Sequence, residues 1–227
     1  MAKAKQPLQQ TKAPVKPLQW PRLTPPPPHS PLDLVQISPG ILILDNLFQT
    51  QLRKSLLTFL KANIKLNPPV APKRGEAART NERISLQDQG FANQLWTDTG
   101  LDKACQSIEG NNGRTAVGLN PNIRIYRYAE GSYFGPHYDD DFHAPETGTT
   151  SEWTLLVYLT GKEDGVVGGE TAFYPTPTRK DNGPAIVPEL KAGRALLHRH
   201  GLACALHEGR LVEKGEKWVL RSDVMFR

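Results

Sequence analysis

The sequence predicts an α+β domain: helices toward its N-terminal side, many short strands after them, and the helices packed on an antiparallel sheet system. Three observations carry this. Apolar residues at helical spacing occur in two windows, about 46–62 and 90–109. From Val117 onward, alternating or short apolar runs recur between turn residues. No stretch approaches the roughly 18 apolar residues of a membrane span.

Residues 1–32 are rich in Pro, Gln and Lys and end near the run Pro25 to Pro28. Such a segment buries too little apolar surface to offset its ordering entropy, which predicts a disordered or polyproline-II tail. The domain is expected over residues 33–227, with its core at about 118–227. Ile41 to Leu44 reads as a short buried strand. Asp45 is placed to cap a helix from about Asn46 to Ala62, with Leu47, Phe48, Leu52, Leu56, Leu57 and Leu60 on one face. Pro68, Pro69 and Pro72 break the chain, and residues 73–87 read as an exposed loop or edge. A second helix is expected from Gly90 to Glu109, with Phe91, Leu95, Trp96 and Leu101 inward.

Asn122 to Ala129 alternates, with Ile123 and Ile125 on one face and Arg124, Tyr126 and Tyr128 on the other. Thr154 to Thr160 is a continuous apolar strand. Gly168-Gly169 reads as a turn into a strand reaching Phe173. Further strands are expected at Ala195 to His198, at Leu206 to His207, and from Lys217 to Phe226 after a turn at Glu213 to Glu216.

The chain has 227 residues, 22% of them charged, and a formal net charge of +5. That modest excess reads as a solvated surface, and neither a nucleic-acid nor a membrane partner is expected. Cys105 and Cys204 match no paired pattern, so a reducing compartment and no disulfide framework are expected. The N-terminus shows no apolar run that would act as a secretory signal. These features together suggest a soluble, monomeric protein of the cytoplasm or nucleus.

Pro136-His137-Tyr138-Asp139 carries the sharpest chemistry. In an extended chain His137 and Asp139 share a face, so an imidazole and a carboxylate can reach one ion. A second imidazole would complete the two-His, one-carboxylate set that leaves open positions on iron(II). The candidates are His198, His200 and His207. Asp140, Asp141 and His143, in the same loop, read as solvated, and Glu170 as structural. Beyond His207, Lys217 opens a strand, and Arg221 falls on the same face of it.

From about Asn120 the chain resembles the catalytic domain of prolyl 4-hydroxylase-type 2-oxoglutarate/iron(II) dioxygenases. The resemblance rests on Tyr128 and Gly131 ahead of Pro136-His137-Tyr138-Asp139, then Thr154 to Leu159. Gly168-Gly169-Glu170-Thr171 follows, and then His207-Glu208-Gly209 with Lys217-Trp218. It implies a double-stranded β-helix (jelly-roll, cupin-like) core with supporting N-terminal helices. It implies Fe(2+) on His137, Asp139 and His207. It also implies 2-oxoglutarate on Lys217, aided by Tyr128, with Arg221 as the competing anchor, and O2 and L-ascorbate as further participants. The expected reaction is hydroxylation of a C–H bond, with a prolyl residue of a protein as first candidate and a free amino acid or small natural product as second. A cupin-like module without catalysis, or a zinc hydrolase on the same ligands, would use the fold differently. Neither explains a cationic anchor beside the metal ligands.

Overall fold

The computed structural model describes residues 18–25, 32–178 and 180–227. Its centre is a mostly antiparallel sheet whose strands are two-faced. The first hairpin is β1 (Leu34–Ser38) and β2 (Ile41–Leu44). After it come α1 (Thr50–Asn63), β3 (Glu82–Gln87), α2 (Gln89–Thr97) and the short α3 (Leu101–Ala104). The remaining strands are β4 (Ala116–Leu119), β5 (Asn122–Tyr128), β6 (Phe134–His137), β7 (His143–Ala144), β8 (Thr149–Tyr158) and β9 (Val167–Gly168). They are completed by β10 (Thr171–Tyr174), β11 (Ala195–Arg199), β12 (Leu206–Gly209), β13 (Val212–Lys214) and β14 (Lys217–Phe226).

Among the described residues the large sheet runs β1-β2-β11-β8-β14-β5-β3. β4 pairs with the far end of β14, and β7 with β8. A smaller sheet, β10-β12-β6, stands apart, and β13 pairs with β9. Side chains alternate across a strand, and here that alternation sorts two cores. Ile123, Ile125, Trp153, Leu155, Val157, Ala195, Leu197, Trp218, Leu220 and Val224 face the helices. They pack with Leu52, Leu56 and Leu60 of α1 and with Phe91 and Leu95 of α2. Tyr126, Tyr128, Leu156, Tyr158, Leu196 and Val219 face the other way, toward Phe173 of the small sheet.

Several expectations need correction. The first helix begins at Thr50, not Asn46, and Asp45 does not cap it. Its carboxylate instead accepts from Arg194 Nε at 2.6 Å and Lys191 Nζ at 3.1 Å. Asn46 sits at φ 59°, a left-handed conformation that delays the helix. The second helix stops at Thr97, because Gly100 at φ 81° turns the chain before α3. Over residues 73–87 the expected edge is present, as β3 at the end of the large sheet beside β5.

Order also begins earlier than Leu34. Leu23 is buried, and the Trp20 ring stacks on Phe91 with centroids 3.9 Å apart. Trp20 Nε1 donates to Asp88 Oδ2 (2.8 Å), while Asp88 Oδ1 caps α2 by accepting from the Phe91 N–H (2.9 Å). The rest of the expected tail, residues 1–17 and 26–31, lies outside the described residues. Among the described residues no helix is long and apolar enough to cross a membrane.

On the helix side, Glu216 gathers charge just before β14. It accepts from Arg127, from Lys61 of α1 (3.0 Å) and from Trp218 Nε1 (3.2 Å), and Arg127 also pairs with Glu82 (2.7 Å). The next residue, Lys217, points to the opposite face.

Candidate metal centre

Strand register brings the candidate residues together. His137 and His207 are direct partners in the β6–β12 pair, with ring centroids 4.2 Å apart. Asp139 lies two residues beyond β6 and turns its carboxylate back toward both rings. His137 Nε2 is 3.8 Å from Asp139 Oδ1, and His207 Nε2 is 3.6 Å from Oδ2. One donor atom from each of the three lies within 4.8 Å of the others. The large sheet supplies the opposite wall. His198 on β11 pairs with Thr154 on β8, and Thr154 with Asp223 on β14, so these side chains share one face with Arg221.

The hydrogen bonds fix how each ring presents itself. His137 Nδ1 lies 2.9 Å from the Gly135 carbonyl and His207 Nδ1 lies 3.0 Å from the Ala205 carbonyl. A carbonyl only accepts, so both Nδ1 atoms carry the proton and both Nε2 atoms turn inward. This is the outer support that metal-binding histidines use. Asp139 is oriented as well: Thr154 Oγ1 donates to Oδ2 (3.1 Å) and Arg221 Nη1 to Oδ1 (3.0 Å). Converging nitrogen and oxygen donors of fixed orientation fit a divalent transition metal.

Titration follows from the same contacts. Burial, then the charge of His207, lowers His137 to about 4. Burial also pushes His198 well below the ordinary imidazole value. Burial opposes the charge of His207, but Asp139 and Cys204 outweigh it and raise the group to about 9. Burial works against the Asp139 carboxylate too, yet Arg221 and His207 hold it well below the usual range.

Deeper in the same pocket lies Lys217. The pocket's free volume is about 30 Å³, and its wall includes Tyr128, Phe134, Leu156, Thr171 and Val219. Lys217 is 2% exposed, and its Nζ donates to the Gly169 carbonyl at 2.6 Å. Nζ also lies over the rings of Tyr128 (5.0 Å) and Tyr158 (5.5 Å). Among the described residues no carboxylate pairs with it, and burial lowers it to about 7. Gly169, at φ 73°, makes the approach feasible: a Cβ there would lie 2.8 Å from Val212 Cγ2 and 3.4 Å from Lys217 Cδ. Arg221 is committed elsewhere, to Asp139 and to Asp223 (3.5 Å).

All six residues singled out in the sequence, His137, Asp139, His207, Lys217, Tyr128 and Arg221, line this pocket. His200 does not: its ring nitrogens meet Thr154 Oγ1 and Ser151 Oγ, each at 3.0 Å, as a satisfied core histidine. Asp140, Asp141 and His143 are exposed. Sequence reasoning missed Thr154, and it kept His198 as a candidate third ligand, with lining the pocket as the alternative. His198 Nε2 lies 3.6 Å from Asp139 Oδ2. The signal available was its parity with Leu196, but cross-strand register was not legible. Cys204 was missed as well; it accepts the Asp139 N–H (3.3 Å) and stands behind His207, 3.8 Å from Nδ1.

Residues 123–222 match the family model of the 2OG-Fe(II) oxygenase superfamily. No curated protein sequence matches the chain. The fold is similar to that of a viral collagen prolyl hydroxylase from Paramecium Bursaria Chlorella virus-1 in its 2OG complex. There the TM-score is 0.54 and the identity 18%, over 82% of this chain and 96% of that one. A Pseudomonas putida prolyl-4-hydroxylase gives 0.55 and 16%, over 83% and 93%. A Trichoplax adhaerens prolyl hydroxylase, in complex with a hypoxia inducible factor peptide fragment, gives 0.58 and 14%, over 82% and 83%. Residues 123–222 thus match a 2OG-Fe(II) oxygenase family model, within a fold similar to that of prolyl hydroxylases.

Proposed function

We propose that the protein is a 2-oxoglutarate- and Fe(II)-dependent dioxygenase whose metal is held by His137, Asp139 and His207 and whose cosubstrate is anchored by Lys217. We read the two facing sheets as a double-stranded β-helix, with the reaction at one end of the space between them. The observation that carries this reading is the pairing of two inward Nε2 atoms around Asp139 with a buried ammonium that has no carboxylate partner.

When bound, ferrous iron with 2-oxoglutarate and dioxygen supplies the oxidising power. One oxygen atom enters a substrate C–H bond as an alcohol, and the other enters succinate as carbon dioxide leaves. The chain's own residues do the rest. Gly135 and Ala205 carbonyls lock the ligand rings, and Thr154 and Arg221 hold the Asp139 carboxylate. Lys217 offsets the far carboxylate of the cosubstrate, since a buried anion needs a cationic partner. Tyr128 packs beneath that ammonium and adds a hydroxyl to the slot. Ascorbate serves to keep the iron reduced.

Outside the metal ligands lies a cleft that includes Arg79, Arg83, Tyr126, Phe134 and Tyr138. Arg79 lies 4.6 Å over the Phe134 ring, which stacks on His137. This surface suits a peptide, and a prolyl residue is the substrate we favour. The support is the fold shared with prolyl hydroxylases, one of them bound to a peptide. A free amino acid is the second reading.

The test is anaerobic loading with Fe(II) and 2-oxoglutarate, then air, with succinate as readout. His137→Ala should abolish both metal retention and succinate release. Succinate at the parent rate from that variant would end the assignment. Peptides and cell extract, searched for products heavier by one oxygen atom, would identify the substrate.

A further inference from the structure

The cleft outside the metal ligands is lined by four arginines, and they are not equally committed. Arg221 and Arg124 are cross-strand partners on β14 and β5, and Asp223 holds both, at 3.5 and 3.0 Å. Arg79 and Arg83 line the same cleft, yet neither guanidinium takes part in an ion pair or a hydrogen bond among the described residues. Backbone pairing fixes where they stand. The Gly135 N–H donates to the Ala78 carbonyl (2.8 Å) and the Thr80 N–H to the Tyr133 carbonyl (3.0 Å), which pins residues 78–80 against β6, the strand that ends in His137. Arg79 bridges Phe134 there, with its guanidinium 4.6 Å over a ring that itself stacks on His137, centroids 3.7 Å apart. Arg83 lies on β3 opposite Tyr126, and its backbone is paired on the other side with Asn67.

Arg79 is half-buried, and after burial itself the charge of Arg83 does most to disfavour its own. Like charges on partly desolvated ground cost free energy unless an anion joins them. The acids of the cleft rim do not supply it. Glu76 turns Oε2 back to the Lys73 N–H (3.1 Å), and Asp140 is exposed and pairs with neither arginine. The ordinary alternative is a pair of surface arginines satisfied by water. Arg83 alone would fit that description, but Arg79 lies over an aromatic ring beside a metal ligand. Past Arg83 the groove continues to Lys73 along Pro68 and Pro69, so the positive charge follows an extended path away from the reaction centre.

We propose that the substrate is an acidic peptide segment, whose Asp or Glu side chains seat on Arg79 and Arg83 while a neighbouring residue reaches the metal. The guanidinium fork suits a carboxylate. Arg79 stands two stacking contacts from His137, and an extended chain advances about 3.3 Å per residue, which places the acid about two or three residues from the one hydroxylated. The inference rests on the metal site assigned above and narrows the class of substrate.

The test uses the full chain loaded with Mn(II) and 2-oxoglutarate, without oxygen, and calorimetric titration of synthetic peptides. Each peptide carries one central prolyl residue, flanked on both sides by Glu, by Gln or by Lys. The Glu peptide should bind about tenfold or more tighter than the Gln peptide, the worth of one hydrogen bond to a charged group, and the Lys peptide should be weakest. Arg79→Gln and Arg83→Gln should each remove most of the Glu-over-Gln preference, and 0.5 M salt should shrink it. Lys54→Gln, an equal loss of charge on α1, should leave it unchanged. Equal binding of the Glu and Gln peptides by the parent would overturn the proposal, and that comparison needs no variant to fold. Equal binding with Mn(II) retention still dependent on His137 would leave the metal site standing; retention indifferent to His137→Ala would overturn that site instead. Displacement of the Glu peptide by oligo-dT of equal charge at equal concentration would also overturn it, in favour of a nucleic-acid ligand.

Discussion

Lys217 shows how a single side chain can be legible in sequence and yet take its properties from the fold. The family resemblance implies it as an anchor, but only the β14 register shows that it is enclosed and unpaired with acid. Replacing it with Met should raise the KM for 2-oxoglutarate about a hundredfold or more, because breaking a buried charge pair costs roughly 3–5 kcal/mol. Circular dichroism should be unchanged. The lysine also imposes a pH dependence. Burial lowers it to about 7, whereas a bound dianion favours its charged form and raises it again. Below pH 7 the ammonium is already present. Above pH 7 binding must take up a proton, so affinity should fall about tenfold per unit until the raised value is passed. Calorimetry with Mn(II), in buffers of different ionisation enthalpy at pH 8, should show that uptake.

The elements differ in how well the sequence specified them. β5, β8 and β14 were readable because alternation or an unbroken apolar run leaves few other solutions. Helix ends were not. Asp45 fits a capping rule, but Arg194, 149 residues away, takes its carboxylate. Thr97 to Gly100 break a helix that periodicity alone would continue. The site was legible where chemistry is local, as in His137 and Asp139. It was illegible where it depends on which strands become neighbours, as for Thr154 on β8, which faces His198 on β11. At this scale α1 is a packing element rather than a functional one. Leu56 is wholly buried between α1 and the sheet, and Leu56→Ala should cost about 2–5 kcal/mol in denaturant unfolding. Leu23→Ala should fall in the same range, since the segment before β1 also closes the helix-side core.

Over the whole molecule, the large sheet separates two jobs. One face holds the helices and most of the apolar core; the other meets the small sheet and encloses the site. Ligands bound between the sheets should stabilise the entire fold by mass action. With Mn(II) and 2-oxoglutarate each in excess, at about 100 times the dissociation constant, the gain is roughly 2.7 kcal/mol per ligand. A rise in Tm of several degrees should follow in thermal scans, at about 2–4 °C per kcal/mol for a chain of this size. His137→Ala should lose the metal-dependent part of that rise.

The charge cluster around Glu216 gives the sheet a further property. It grips the turn that delivers Lys217, yet it lies on the outer, hydrated side. Glu216 is held near 2, chiefly by Arg127 and Lys61 against the effect of burial, so mild acid leaves the grip ionised. Dissolved electrolyte acts differently: at 1 M the Debye length shrinks to about 3 Å, and partly exposed pairs lose much of their attraction. Concentrated salt should therefore loosen the turn ahead of Lys217 from outside, while acidification down to about pH 5 leaves that clamp intact.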